Sequence, residues 1–283
     1  MALGMLGGVP PAGAAAASPL LTILDGEASL VIGARAVAAI EGMRVPPGAL
    51  LHTHASTTLL RLEWPGGEVL DLGPDTQVML QPEGLGARGE AAPAFYLLSG
   101  WAKQRAASGA HRGLVAPLAQ VLPGKGTIVA QAAAAGVWLF AEAGEALLLE
   151  RAGASARRAL PAGQAYQRNG ASKGEITARP APEMLRQVPR GFRDTLPLRA
   201  DRFTGKEPTP KPLPAPTYDA LAPWLTAEPS IRREFPRRFA PPLREPGFRA
   251  ALAARLAAHP EWEPVLFPER FVRPASAPSG ARP

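Results

Sequence analysis

From Pro19 to about Arg179 the apolar residues fall in short, turn-bounded runs: Leu20–Leu24, Ala28–Ile32, Thr57–Trp64, Glu68–Leu72, Gln77–Leu80, Phe95–Leu98, Thr127–Ala130, Val137–Phe140 and Ala146–Leu149. Several alternate. In Leu60-Arg61-Leu62-Glu63-Trp64 the apolar side chains face one way and the charges the other, the two-residue period of a half-buried strand. Asp25-Gly26, Pro65-Gly66-Gly67 and Ala143-Gly144 lie between such runs and supply the positive φ of close hairpin turns. The pattern predicts a mainly β fold of stacked short antiparallel strands, solenoid- or sandwich-like, and not a parallel α/β sheet.

A weak internal repeat has the same sense. Gly26-Glu27-Ala28-Ser29-Leu30-Val31 recurs as Gly144-Glu145-Ala146-Leu147-Leu148-Leu149. Each copy passes a polar or glycine turn and reaches a second glycine, Gly42 or Gly163. A strand, a turn, a second strand and a tight corner are used twice.

Beyond residue 180 the chain changes character. Of 29 glycines 25 precede Pro180, whereas 21 of 33 prolines lie from Pro180 onward. Dense proline predicts extended linkers and short, broken helices. The expected organisation is a leader or tail over 1–18, a β domain over 19–179, a Pro-rich linker over 180–217, a helical segment over 218–270 and a terminal tail over 271–283. Within the linker, Glu207 to Pro216 should be extended and semi-rigid. One helix is expected near Glu228–Phe235, capped by Thr226 or Glu228 and stopped by Pro236; a second spans Pro246–His259. The second carries Phe248, Leu252 and Leu256 on one stripe, and Trp262, Leu266 and Phe267 follow it. These six are the candidate partner-docking residues; the alternative is that the tail folds back and buries them on the β domain.

Composition narrows the chemistry. There is no cysteine, which excludes disulfides, thiolate metal sites and a cysteine nucleophile. The net charge is +7, but residues 1–180 carry 14 basic and 13 acidic groups, so the excess lies in the last third, as scattered arginines with acids between them. That distribution suits a solvated basic surface better than a nucleic-acid stripe. Ala15-Ala16-Ala17 before Ser18-Pro19 looks like the cleavage end of a signal peptide whose start is truncated, so an exported, periplasmic chain is expected. No later stretch is apolar enough for a membrane helix.

Residues 20–168 resemble the FecR-like domain family. The resemblance rests on Gly48-Ala49-Leu50-Leu51-His52-Thr53 as the first turn, Gly66-Gly67 in a hairpin, Pro74-Asp75-Thr76 as the next turn, Leu98-Ser99-Gly100 at a strand start, Gly126-Thr127 before an apolar strand, and a closing hairpin over Ala143 to Gly163. It implies a periplasmic β-rich domain. The family's best-known members pass a signal from an outer-membrane receptor to a sigma factor. The cytoplasmic sigma-binding segment and membrane helix of those members have no counterpart here, which points to a stand-alone form.

Side chains with catalytic potential are few. His52 and His54 would share a strand face, as metal ligands can, but no acid or third histidine is near in sequence, and a polar corner is the stronger expectation. Gly124-Lys125-Gly126-Thr127 has the wrong order for a phosphate loop. Ser99 lacks a nucleophile-elbow frame. Asp25, Asp71 and Asp75 adjoin turns, where aspartate bonds local amides. The expectation is a non-enzymatic, exported binding or scaffold protein without metal or cofactor, whose partner is an envelope protein or polysaccharide. The alternatives are an envelope signalling component related to sigma-factor regulation and a carboxylate-dependent cell-wall hydrolase.

Overall fold

A computed structural model describes residues 18–82, 85, 93–106, 113–151 and 157–271. All but Ser18 of the leader or tail expected over 1–18, and most of the terminal tail, lie outside the described residues. The fold is mainly β. Its strands are β1 (Leu20–Asp25), β2 (Ala28–Ile32), β3 (Arg35–Ala38), β4 (Leu50–Thr53), β5 (Leu59–Glu63), β6 (Val69–Leu72), β7 (Gln77–Leu80), β8 (Phe95–Ala106), β9 (Leu114–Val115), β10 (Ala119–Ala133), β11 (Gly136–Glu150), β12 (Arg157–Pro161), β13 (Ala165–Asn169) and β14 (Glu175–Thr177).

Three long strands, β8, β10 and β11, organise the rest, because each belongs to two sheets. The first part of β8 pairs with β7 (Leu80 opposite Phe95) and its second part with β6 (Val69 opposite Arg105). The start of β10 pairs with β9 and its end with β8. The start of β11 pairs with β13 and its end with β12. One face is therefore built from β3, β2, β4, β7 and the halves of these strands that adjoin β9 and β12. The other is built from β1, β5, β6, the remaining halves, β13 and β14. The sheet folds over along the shared strands, with β9 closing a circuit by pairing parallel to β8 and antiparallel to β10.

Each long strand bends where its register slips, and there its inward parity reverses. In β8 the buried interior residues are Phe95 and Leu97, then Ala102. In β10 they are Ala119 and Val121, then Ile128 and Ala130; in β11 Val137, Leu139 and Ala141, then Ala146 and Leu148. One inserted residue flips every later side chain to the other face, so a bulge at a corner keeps the apolar set inside both sheets. The bulges fall at Gln77/Val78 against β8, at Pro123/Gly126 and at Thr127/Ile128. Gly100 sits at the β8 corner with φ +91°, and a Cβ there would lie 2.5 Å from the Thr76 Cα. Gly144 sits at the β11 corner with φ +72°. Ala143-Gly144, expected as a hairpin turn, is thus a bend inside one strand, and Leu98-Ser99-Gly100 lies within β8 and not at its start. Leu50 to Thr53, expected within a turn, is β4; the turn is confined to Pro47-Gly48, with Gly48 at φ +71°.

The repeat corresponds to two antiparallel hairpin pairings, β2 with β3 and the end of β11 with β12, each followed by a positive-φ corner at Gly42 or Gly163. Gly42 N donates to Leu21 O and Gly163 N to Ala141 O.

The C-terminal third covers both outer faces. Helix α1 (Pro182–Gln187) and a 3-10 turn at Arg190–Phe192 lie over the β5–β6 side, where Phe192 packs with Ile23, Leu59, Val129 and Trp138. The chain then crosses to β3, where Ala38 N donates to Lys211 O and Leu213 N to Ala36 O. Five short helices follow: α2 (Tyr218–Leu225), α3 (Pro229–Arg232), α4 (Phe235–Arg238), α5 (Pro246–Ala254) and α6 (Glu263–Leu266). They form a cap on Leu50, Met79, Tyr96 and Val115 of the other outer face. Helix α2 opens the helical segment expected over 218–270, ahead of the two helices expected within it. It is capped by Thr217, whose hydroxyl accepts from Ala220 N, and it carries Pro223 within it. Pro236, expected as a stop, lies in the first turn of α4, where its missing N–H costs nothing.

Candidate functional site

The segment over the β5–β6 side, residues 182–200, forms an arm that is held differently from the cap. On the β5–β6 side, polar side chains that alternate with the core grip the arm's backbone. Arg61 is only 1% exposed and makes a two-pronged pair with its cross-strand neighbour Asp71, at 2.6 and 2.8 Å. Its remaining nitrogen donates to Leu196 O at 3.1 Å. Lys103 Nζ donates to Phe192 O at 2.7 Å, and Glu63 accepts from Arg199 N and Ala200 N at 3.0 Å. Arg61, Glu63, Asp71 and Lys103 therefore each have a partner within the chain.

The cap is mainly apolar, with two polar anchors, one half-buried and one fully buried. Arg238 donates to Gly33 O, Gly48 O and Val31 O at 2.8, 2.8 and 2.9 Å, and its guanidinium lies 5.0 Å from the Phe239 ring. His259 is fully buried between Tyr218 Oη (2.8 Å from Nε2) and Leu225 O (3.0 Å from Nδ1). Burial pushes its pKa down, so the neutral ring is the folded form: Nδ1–H donates to the carbonyl and Nε2 accepts from the phenol.

Between the cap and the sheet a cleft of about 290 Å³ stays open. Its floor is the outer face of β2, β4 and β7. Ser29 pairs in register with His52, and His52 with Gln77, so the three side chains form one row across the strands. Its walls are Leu50, Leu221 and Trp224, and its rim is the extended segment Leu213–Thr217. None of its lining residues carries a fixed charge. The other sizeable clefts differ: one of about 420 Å³ beside Glu63 is lined by Arg44, Asp201, Lys206 and Glu207, and another contains Glu234 and Arg238. Among the described residues nothing hydrogen-bonds the Ser29 or His52 side chains, and the Gln77 carboxamide oxygen is buried without a donor. His52 has its pKa lowered, first by burial and then by His54, so it presents a neutral ring.

The six sequence-nominated docking residues all lie in the cap. Phe248, Leu252, Trp262 and Leu266 are buried, and Leu256 and Phe267 are partly buried against the same cluster. The stripe is covered within the chain and is not a free surface: Phe248 packs on Tyr218 and Trp262 inside the cap, in the same cluster that holds the sheet's outer Leu50, Met79 and Tyr96. His52 and His54 have ring centroids 5.4 Å apart, and among the described residues no group of three ligand-type side chains is placed to hold a metal. Asp71 is in a strand and locked to Arg61; Asp25 accepts from Thr58 Oγ1 and is exposed. Gly124 to Thr127 form the β10 corner. Ser29, Gln77 and Trp224 were not singled out by sequence. Single polar residues on strands carry no signal until register aligns them.

No family model matches the chain, and no curated protein matches it. Among solved structures it is similar to two crystal structures of a protein from Parabacteroides distasonis described as a "putative anti-sigma factor", at 12% and 11% identity with TM-scores of 0.38 and 0.37. Each alignment covers 47% of this chain and 61% of the other. The chain thus spans under two thirds of those structures.

Proposed function

We propose that this chain is a non-catalytic, exported binding protein of the FecR-like kind, and that it captures a ligand in the uncharged cleft over β2, β4 and β7. The cleft carries the proposal: a protein with 19% charged residues keeps a concave, largely apolar site free of fixed charge, with three aligned hydrogen-bonding groups at its base. Ligand sites combine apolar walls with a few placed polar groups in this way. Envelope signalling related to sigma-factor regulation is a second role, the one that the FecR-like resemblance implies. Pro74-Asp75-Thr76 and Leu98-Ser99-Gly100 meet at the β8 corner, where Thr76 Oγ1 accepts from Trp101 N at 2.9 Å.

A ligand that binds the folded state alone raises its melting temperature. Envelope extract, fractionated into proteins, glycans and small molecules, is added to the purified chain and to Ala220→Phe, which plugs the cleft from an exposed helix position. At least one fraction should stabilise the parent and not the plugged variant. Stabilisation of neither, by any fraction, refutes cleft binding. Mass spectrometry of the mature N-terminus from envelope fractions tests export.

A further inference from the structure

We propose that the cleft takes a neutral saccharide, lying across the strands with about two sugar rings over the row Ser29, His52 and Gln77. The inference rests on the cleft being a ligand site, as above, and names the chemical class that fits it. Adjacent strands are about 4.8 Å apart, so the row offers a hydrogen-bonding group at that repeat. A sugar ring in a glycan chain advances by a comparable distance and presents hydroxyls at each step. An extended peptide advances about 3.3 Å per residue and does not keep that step. The row does not end at the cleft: Gln77 pairs with Ser99 on β8, so a longer glycan would meet a fourth hydrogen-bonding residue.

The chemistry of the groups points the same way. Hydroxyl, neutral imidazole and carboxamide each donate and accept, as sugar hydroxyls do. The cleft has no lysine, arginine, aspartate or glutamate lining it, so an ionic ligand would lose its hydration without a counter-charge. Val31, Leu213, Pro214 and Ala215 supply apolar surface for the C–H faces of the rings, with the buried Leu221 and Trp224 side chains behind them.

The test uses the intact chain and reads the His52 ring and Trp224 indole resonances by NMR. Maltose, cellobiose, N,N′-diacetylchitobiose, the matching hexasaccharides, a galacturonic acid dimer and a neutral tetrapeptide are titrated in turn. At least one neutral disaccharide should shift both resonances saturably, with the acidic dimer at least tenfold weaker. Tighter binding of a hexasaccharide marks a glycan chain as the source; equal binding marks a free disaccharide. Gln77→Met and Ser29→Ala should each weaken binding about tenfold while leaving the melting temperature unchanged or, for Gln77→Met, raised, since a donorless buried oxygen is removed. Shifts by the peptide or the acidic dimer but by no neutral sugar overturn the saccharide and keep the cleft. No shift by any probe, together with no stabilising envelope fraction, overturns both.

Discussion

Arg238 is the point where the cap is fastened to the sandwich, and its removal tests how the two are joined. Its guanidinium reaches Val31 in β2, Gly33 in the β2–β3 turn and Gly48 before β4, over 190 or more residues of chain separation. Burial lowers its pKa to about 10, which leaves it charged at neutral pH. A hydrogen bond from a charged group contributes about 1.5–3 kcal/mol, and the rings of Phe235 and Phe239 add about 0.5–1 kcal/mol. The three bonds share one group and do not sum, and water can reach the Gly33 carbonyl once the side chain is gone. Arg238→Ala should therefore cost about 3 kcal/mol, and Arg238→Lys about two thirds of that, because an ammonium is a point donor that does not span three carbonyls. The assay is urea unfolding followed by hydrogen exchange. Cap amides at Phe239 and Leu252 should lose protection ahead of interior amides such as Leu51 and Leu139. A variant within about 0.5 kcal/mol of the parent, with equal protection in cap and interior, would refute the latch.

Three further outcomes follow from particular contacts. His259 has a folded pKa below the ordinary value of about 6.5, so the unfolded chain takes up its proton first as pH falls. Its contribution is full above about pH 6.5 and is lost as pH falls from there through the folded value; melting curves of His259→Gln should show a shallower acid dependence than the parent, and identical slopes would exclude it. Gly100→Ala places a Cβ against the Thr76 backbone at φ +91° and should cost several kcal/mol or prevent folding, whereas Gly163→Ala, at φ +84° with open space, should cost only about 1 kcal/mol by thermal melting; equal effects would mean that the β8 corner is not tight. Arg61→Met alone should destabilise by about 3–5 kcal/mol by leaving Asp71 uncompensated, and adding Asp71→Leu should recover much of the loss, so additive losses in a double-mutant cycle would contradict a coupled buried pair.

Much of the β architecture was legible residue by residue. The run Leu59-Leu60-Arg61-Leu62-Glu63 announces its strand, and its alternation tells which side chains face the interior. Legibility failed at the corners. Ala143-Gly144 reads as a hairpin turn because a local pattern of glycine and broken period looks the same whether the chain reverses or bends. It also failed at helix α2, whose Pro223 and short length hide a period that only the Thr217 cap and the contacts of Leu221 and Trp224 make stable. The candidate site was half legible: His52 stood out, but for a neighbouring histidine and not for Ser29 and Gln77.

Periodicity and turn chemistry, carried in the chain itself, determined that this is a β protein with a proline-broken helical extension, because a strand's two-residue alternation and a proline's missing N–H act over a few residues. Tertiary structure alone decided that the extension covers both outer faces, that Arg238 fastens it, and that Ser29, His52 and Gln77 line one open cleft. Those outcomes depend on register between strands and on which apolar surfaces remain uncovered after the sheets form, quantities that exist only once distant segments have met.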